Sequence, residues 1–70
     1  MSKLRKGLAD IFEIDVSELH SDSRLEEFAW DSLSMVSTIA LFDELFNKEL
    51  TLAAMETCST IGDLEKLAGE

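Results

Sequence analysis

Residues 31–46 read DSLSMVSTIALFDELF, and they predict the helix around which the rest of the chain packs. Asp31 is a preferred helix N-cap residue, so the helix is expected to run from about Ser32 to Phe46. It is apolar over most of its circumference, which is typical of a helix buried on several sides. Leu41 and Leu45 share a sector with the helix's polar residues, so they either pack under a neighbouring helix or form an exposed stripe.

Ser32 occupies an unusual position in this pattern. With Asp31 as the cap, Ser32 lies in the first helical turn, where backbone N–H groups have no intrahelical partner. The helix dipole and those amides favour an anion there, so the hydroxyl could carry a phosphodiester. The position therefore predicts an attachment point and not a catalyst.

Three segments together resemble one family. They are Asp31-Ser32-Leu33, the preceding loop Asp22-Ser23-Arg24-Leu25-Glu26-Glu27-Phe28, and the acidic second half of the predicted helix, Leu41 to Phe46. They are similar to acyl carrier proteins, small four-helix proteins in which the serine of a D-S-L motif bears a 4'-phosphopantetheine arm. Nearly the whole chain can be laid on this pattern, and the loop, helix start, length and acidity agree with one another.

The resemblance implies a function. A phosphopantetheinyl transferase would move the arm from coenzyme A to Ser32, and the arm's thiol would hold acyl groups as thioesters for successive enzymes. The protein itself would catalyse nothing. Asp31 would cap the helix and contact the transferase, and Leu33 would either contact the transferase and partner enzymes or belong to the core.

The chain departs from the family pattern near Ser32. Ala29 stands where a glycine is common, Trp30 is bulky, and Ser34 and Ser37 replace residues that are often acidic in fatty-acid carriers. These changes predict a freestanding carrier for a specialised pathway, such as envelope lipid, surface polysaccharide or secondary-metabolite acylation.

Length and composition predict the fold class. Seventy residues allow one domain, residues 1–70, and 46% apolar content with no proline favours a compact helical bundle. We expect an all-α, four-helix bundle with three main helices and one short one. The other predicted elements are a helix over Lys3–Phe12, a turn over Val16–Leu19, a loop over His20–Trp30, a short helix over Ala53–Thr57, and a last helix from Thr60 to Gly69.

Several further apolar side chains are expected to pack against the bundle. Leu25 and Phe28 are expected to pin the long loop to the bundle, and Leu50 and Leu52 to return to the core. Trp30 either folds over the arm or a partner, or covers the apolar side of the loop. Five residues line an acyl cavity or, more simply, form plain core: Met35, Ile39, Leu52, Met55 and Cys58.

Charge restricts the partners. The net charge is −9, and after the first six residues only three basic residues accompany fifteen acidic ones. Nucleic acid is excluded because its phosphates would be repelled. We expect a monomer that meets acyl-loading and acyl-transfer enzymes through their basic faces, although acidity that only maintains solubility is the alternative.

The chain has a single cysteine and a single histidine, which bear on disulfide bonds, metal sites and the cellular compartment. Cys58 is the only cysteine, so no internal disulfide forms, and with no visible signal peptide or membrane span we expect a cytoplasmic protein. His20 is the only histidine and is expected to be solvated. It offers no metal site, and nothing places it as a base for Ser32.

Two other functions remain open. An unmodified acidic helical domain that docks another protein would need no arm and no Ser32. An aminoacyl, peptidyl or D-alanyl carrier would share both the arm and the bundle.

Overall fold

The computed structural model describes residues 3–69, so Met1, Ser2 and Glu70 of the predicted domain lie outside it. The predicted all-α fold is confirmed: the described residues form four α-helices and no strand. The helices are α1 (Lys3–Phe12), α2 (Ser32–Phe46), α3 (Leu52–Glu56) and α4 (Ile61–Ala68). None of the helices in residues 3–69 is long and apolar enough to cross a membrane.

The helix ends follow local capping chemistry. Asp31 caps α2, and Asn47 ends it in the left-handed conformation at φ 55°. Thr60 and Asp63 form the predicted capping box of α4, which Gly69 terminates at φ 81°. The prediction for α3 was one residue late at each end, because the Thr51 hydroxyl accepts a 3.2 Å hydrogen bond from the Ala54 amide and starts the helix at Leu52.

The loop from His20 to Trp30 is held by backbone hydrogen bonds. The Leu25 amide donates to the Ser59 carbonyl at 2.9 Å, and the Gly62 amide donates to the Ser21 carbonyl at 2.8 Å. Leu25 is 1% exposed, and the Phe28 ring stacks on Phe12 with a 4.9 Å centroid separation. The predicted pinning is confirmed, and the loop also contains a 3₁₀ turn over Leu25–Glu27 that was not predicted.

The burial of α2 differs from the prediction. Its three buried residues are Ser34, Thr38 and Phe42, spaced four residues apart on one face. Leu33 and Val36, on the other side, are 75% and 55% exposed. Met35, Ile39, Leu41 and Phe46 also pack against the core, so α2 is buried on several sides as expected, but not on the side that carries Leu33 and Val36.

The buried face of α2 carries two small hydroxyl side chains, and both have hydrogen-bond partners. The Thr38 hydroxyl donates 2.8 Å to the Ser34 carbonyl, and the Ser34 hydroxyl donates 2.6 Å to the Ala29 carbonyl. Both polar groups are satisfied locally, so their burial carries little penalty and lets neighbouring elements approach closely.

Close packing joins α1 to α2 at Gly7. A Cβ atom at this position would lie 2.5 Å from both δ carbons of Leu41. Leu41 is half-buried against the core, as one of the two alternatives predicted, and Leu45 is also half-buried. The glycine lowers helix propensity by about 1 kcal/mol relative to alanine, but it leaves room for Leu41.

The short helix α3 contributes less to the core than expected. Met55 and Cys58 are buried at 0% and 9% exposure, and Leu50 is half-buried against the core. Leu52 is 41% exposed, so its predicted return to the core was wrong. Leu52 is the first residue of this five-residue helix, and Met55 is the residue of α3 that is buried.

Candidate functional site

Two residues, Asp31 and Ser34, form the hydrogen bonds that begin α2. The Asp31 carboxylate accepts a 3.0 Å hydrogen bond from the Ser34 amide, and the Ser34 hydroxyl accepts 2.9 Å from the Asp31 amide. This reciprocal pair is a capping box with serine in the place usually taken by Glu or Gln. Asp31 is therefore the N-cap, as predicted.

Ser32 is the first residue of α2 and is exposed. Within residues 3–69 its hydroxyl has no hydrogen-bond partner. By contrast, the Ser23 hydroxyl accepts from the His20 amide, Ser21 bonds to Arg5 and Glu65, and Ser34 is buried. Among the described serines, Ser32 is the one that is both exposed and in the first turn of an α-helix.

The third predicted site residue, Leu33, lies on the surface. Its 75% exposure rules out the core alternative. Together with Val36 and Ala40 it forms the exposed apolar stripe of α2, at positions i, i+3 and i+7 of one helical face. Isolated exposed leucines are ordinary, but three apolar residues aligned beside Ser32 make a contiguous surface for contact.

Charge is absent from the part of α2 that carries the exposed apolar stripe. Residues 32–42 contain no ionisable side chain, and the first acidic residues are the exposed Asp43 and Glu44. At 1.5 Å per residue, Asp43 lies about 16 Å along the helix from Ser32. Within α2 the residues that follow Ser32 are therefore neutral as far as Phe42, the negative charge of the helix is concentrated at its far end, and the exposed Asp31 carboxylate is the charge directly beside Ser32.

Two shallow cavities flank this end of the bundle. One, of about 200 Å³, is lined by Ile11, Ala29, Asp31, Leu33, Ser34 and Ser37. The other, of about 140 Å³, is lined by Arg24, Leu25, Glu26, Trp30, Cys58 and Ser59, and we call it the Trp30 cavity. Of the five residues considered for an acyl cavity, only Cys58 lines either of them.

Trp30 covers the apolar side of the loop. Its ring is half-buried and packs edge-on against Phe12, at a centroid separation of 6.2 Å and an interplanar angle of 66°. Its indole nitrogen is out of contact with solvent and has no hydrogen-bond partner in the described chain.

Electrostatics at the site follow from these contacts. The hydrogen bond from the Ser34 amide lowers the pKa of the Asp31 carboxyl below its ordinary value of 3.8. Burial raises the pKa of the Cys58 thiol above 9.0, and the charge of Asp63 adds to this effect.

His20 is exposed, and residues 3–69 hold no group of three His, Cys, Asp or Glu side chains suited to a metal ion.

The chain was compared with models of known protein families. The model described as a phosphopantetheine attachment site matches residues 2–68, which is nearly all of it. The chain belongs to this family. It is a carrier protein of the phosphopantetheine-dependent type, whose members attach 4'-phosphopantetheine covalently to a serine and work with transferases and acyl-handling enzymes.

The geometry at Ser32 fits the covalent attachment of a 4'-phosphopantetheine arm. A covalent arm needs an exposed nucleophilic oxygen that no internal hydrogen bond holds, and Ser32 meets this requirement. The residue that sequence reasoning missed is Ser34, whose hydroxyl completes the cap that orients the helix start. Its three-residue spacing from Asp31 was the available signal.

Proposed function

We propose that the protein is an acyl carrier and that Ser32 is the residue that bears its 4'-phosphopantetheine arm. The observation that carries the proposal is the exposure of Ser32 at the first position of α2, with a hydroxyl free of internal hydrogen bonds. The neighbouring serine, Ser34, is buried and its hydroxyl is already used. The position of Ser32, close to the positive end of the α2 dipole, also favours a phosphodiester.

The residues around Ser32 have distinct roles in this proposal. Asp31 holds the backbone of the first turn, which keeps the Ser32 hydroxyl directed away from the helix axis and accessible to a transferase. Its carboxylate takes the Ser34 amide for itself, so that amide is not available to a phosphate. Leu33 supplies the nearest apolar contact for the transferase and for partner enzymes. The arm, when attached, supplies a thiol that holds the cargo as a thioester.

We further propose that partner enzymes read α2 in two zones. Near Ser32 the matching surface is apolar, because it meets Leu33, Val36 and Ala40. About 16 Å farther along the helix it is basic, because it meets Asp43 and Glu44. The absence of ionisable side chains between Ser32 and Phe42 supports a carrier dedicated to a specialised acylation pathway. A reducing cytoplasmic setting would keep the free Cys58 stable. The protein itself would be monomeric and without catalytic activity.

The choice of cargo remains between acyl groups and the aminoacyl or D-alanyl alternatives. Aspartate before the serine favours acyl cargo by resemblance to the family. The alternative of an unmodified interaction domain predicts no arm at all.

Intact-mass measurement tests the attachment directly. Apo protein is incubated with coenzyme A and a broad-specificity phosphopantetheinyl transferase, beside the Ser32→Ala and Ser37→Ala variants. The wild type and Ser37→Ala are expected to gain the mass of one arm, and Ser32→Ala none. A wild type of unchanged mass would overturn the proposal, and so would a modified Ser32→Ala variant.

A further inference from the structure

The larger of the two cavities near Ser32 is a shallow groove where the end of α1 meets the start of α2. Ile11 comes from α1, Ala29 and Asp31 precede α2, and Leu33, Ser34 and Ser37 belong to its first turns. We call it the Ile11 groove. Its wall is more apolar than polar, and its apolar side chains are those of Ile11, Ala29 and Leu33.

The Ile11 groove adjoins the proposed attachment point. Ser32 lies between two residues that line the groove, Asp31 and Leu33, so its Cα atom is about 3.8 Å from the Cα atom of each. Successive residues are about 100° apart around a helix, so a group attached to Ser32 reaches the groove by passing over Leu33. The Trp30 cavity is lined by neither neighbour of Ser32. Of the two cavities, the Ile11 groove is therefore the one that begins at Ser32.

Two polar groups in the Ile11 groove are available to a ligand. The Ser34 hydroxyl is already used, because it donates to the Ala29 carbonyl at 2.6 Å. The Ser37 hydroxyl and the Oδ2 atom of Asp31 have no hydrogen-bond partner within residues 3–69. The groove therefore offers one hydroxyl, which can donate or accept, and one carboxylate oxygen, which accepts.

The charge and polarity of the groove restrict what can occupy it. The Asp31 carboxylate repels a phosphate, so the phosphodiester of an arm stays outside. A saturated acyl chain would cover Ser37 and Asp31 without pairing them, which is unfavourable. The pantoyl unit, which follows the phosphate along the arm, is neutral and carries two methyl groups, a hydroxyl and an amide carbonyl. It matches both the apolar wall and the two available polar groups.

The size of the Ile11 groove agrees with this occupant. Its volume is about 200 Å³. A closed apolar cavity of about 150 Å³ accepts a benzene molecule, so the groove has room for one compact unit but not for the whole arm. A free ligand of this size would bind a shallow groove weakly, whereas a group tethered to Ser32 is present at an effective concentration on the order of millimolar.

From these observations we infer that the Ile11 groove holds the pantoyl unit of the Ser32-linked arm. Ile11 and Leu33 contact its methyl groups, while Ser37 and Asp31 bond to its carbonyl and its hydroxyl. The inference rests on the proposed attachment at Ser32. The groove fixes the direction in which the arm leaves the protein, on the α1 side of α2, and the thiol and its cargo remain outside.

Isotope-filtered nuclear Overhauser spectroscopy tests this placement, because protein and arm can be labelled separately. Isotopically labelled apo protein receives an unlabelled arm from coenzyme A, and intact mass confirms the attachment. We expect the two methyl groups of the pantoyl unit to show contacts with the methyl groups of Ile11 and Leu33. Contacts instead with Met35 and Ile39, half-buried residues on the opposite face of α2, would overturn the inference. So would the absence of any contact in a fully modified sample.

Two leucine substitutions form a matched pair. Ser37→Leu fills the groove with a larger apolar side chain, and Ala53→Leu adds the same side chain at an exposed position of α3 outside it. Both variants should gain the mass of one arm. The contacts with Ile11 should be lost in Ser37→Leu and persist in Ala53→Leu.

Contacts that persist in folded Ser37→Leu, or that disappear from both variants, would argue against the groove. The wild-type contacts decide the placement even if Ser37→Leu does not fold. All of these results presuppose a modified wild type. An absent mass gain in the wild type instead counts against the proposed function itself.

Discussion

The Ser34 hydroxyl donates a 2.6 Å hydrogen bond to the Ala29 carbonyl, which ties the first turn of α2 to the loop that precedes it. The same oxygen accepts from the Asp31 amide, so one buried side chain satisfies two backbone groups. Ser32, two residues earlier, makes no such bond. Of the two serines in this helical turn, Ser34 is therefore structural and Ser32 is accessible.

This division predicts opposite phenotypes for two alanine variants. Ser34→Ala should lower the free energy of unfolding by about 1–2 kcal/mol, because the Asp31 amide loses its acceptor and the Ala29 carbonyl loses its donor. It should still accept the arm. Ser32→Ala should change stability by less than about 0.5 kcal/mol and accept none. Urea unfolding and intact mass measure both properties, and equal stabilities for the two variants would contradict the assigned roles.

Acidification should weaken the start of α2 through Asp31. The pKa of its carboxyl is lowered by the Ser34 amide, so its contribution is present above the ordinary value of 3.8 and is lost as the pH falls through the lower folded value. Asp31→Asn keeps a capping side chain that does not titrate in this range. Its stability should therefore fall less between neutral and acidic pH than that of the wild type.

A matched control for the acid experiment is Asp43→Asn, which removes an exposed carboxylate that caps no helix. Its acid sensitivity should resemble that of the wild type. If Asp31→Asn and Asp43→Asn lose stability in parallel, the Asp31 cap has no special part in the pH response.

Two glycine substitutions should differ in cost. A Cβ at Gly62 would lie 2.9 Å from the Ser21 carbonyl oxygen, a backbone atom that the Gly62 amide also bonds, so the loop must move. Gly62→Ala should destabilise by about 1–3 kcal/mol. The nearest atoms to a Cβ at Gly7 belong to the Leu41 side chain, which can move more easily than backbone, and Gly7→Ala gains about 1 kcal/mol of helix propensity, so its net effect should be smaller. Thermal unfolding ranks the variants, and the reverse order would contradict this description of the two contacts.

The exposed apolar stripe should affect recognition and not stability. Leu33→Ala removes a side chain that is 75% exposed, so the free energy of unfolding should change by less than about 0.5 kcal/mol. The kcat/KM of arm transfer should fall, because the transferase loses the contact nearest Ser32. Leu52→Ala, an exposed leucine on α3, is the matched control, and an equal loss in both variants would argue against a specific role for the stripe.

Thiol labelling should separate the arm from the protein's own cysteine. Cys58 is 9% exposed, and burial raises its pKa above 9.0, so little reactive thiolate is present at neutral pH. Folded apo protein should therefore react slowly with a disulfide reagent, and unfolded protein quickly. Protein bearing the arm should show one additional fast thiol that persists in Cys58→Ala. Rapid labelling of folded apo protein would contradict the buried position of Cys58.

Local signals in the sequence determined the helices and the position of Ser32. Asp31, Thr60 and Gly69 satisfy backbone groups within a few residues of themselves, so their capping roles can be predicted without knowing what packs against each helix. The start of α2 was predicted correctly for this reason, whereas the bounds of α1 followed from the helical spacing of its apolar residues. The capping role of Ser34 was also local, and it was missed because serine is uncommon at the N3 position of a capping box.

Only the tertiary structure decided which face of α2 turns inward. The helix is apolar nearly all round, so periodicity could not choose between Leu33 and Val36 on one side and Ser34 and Thr38 on the other. The choice depends on close approach to α1 and α3, which are segments distant in sequence from this face. The Ser34 and Thr38 hydroxyls permit that approach because they bond to carbonyls nearby in the chain. The same holds for the unpartnered indole of Trp30, because a missing acceptor can be recognised only when every neighbour is in place.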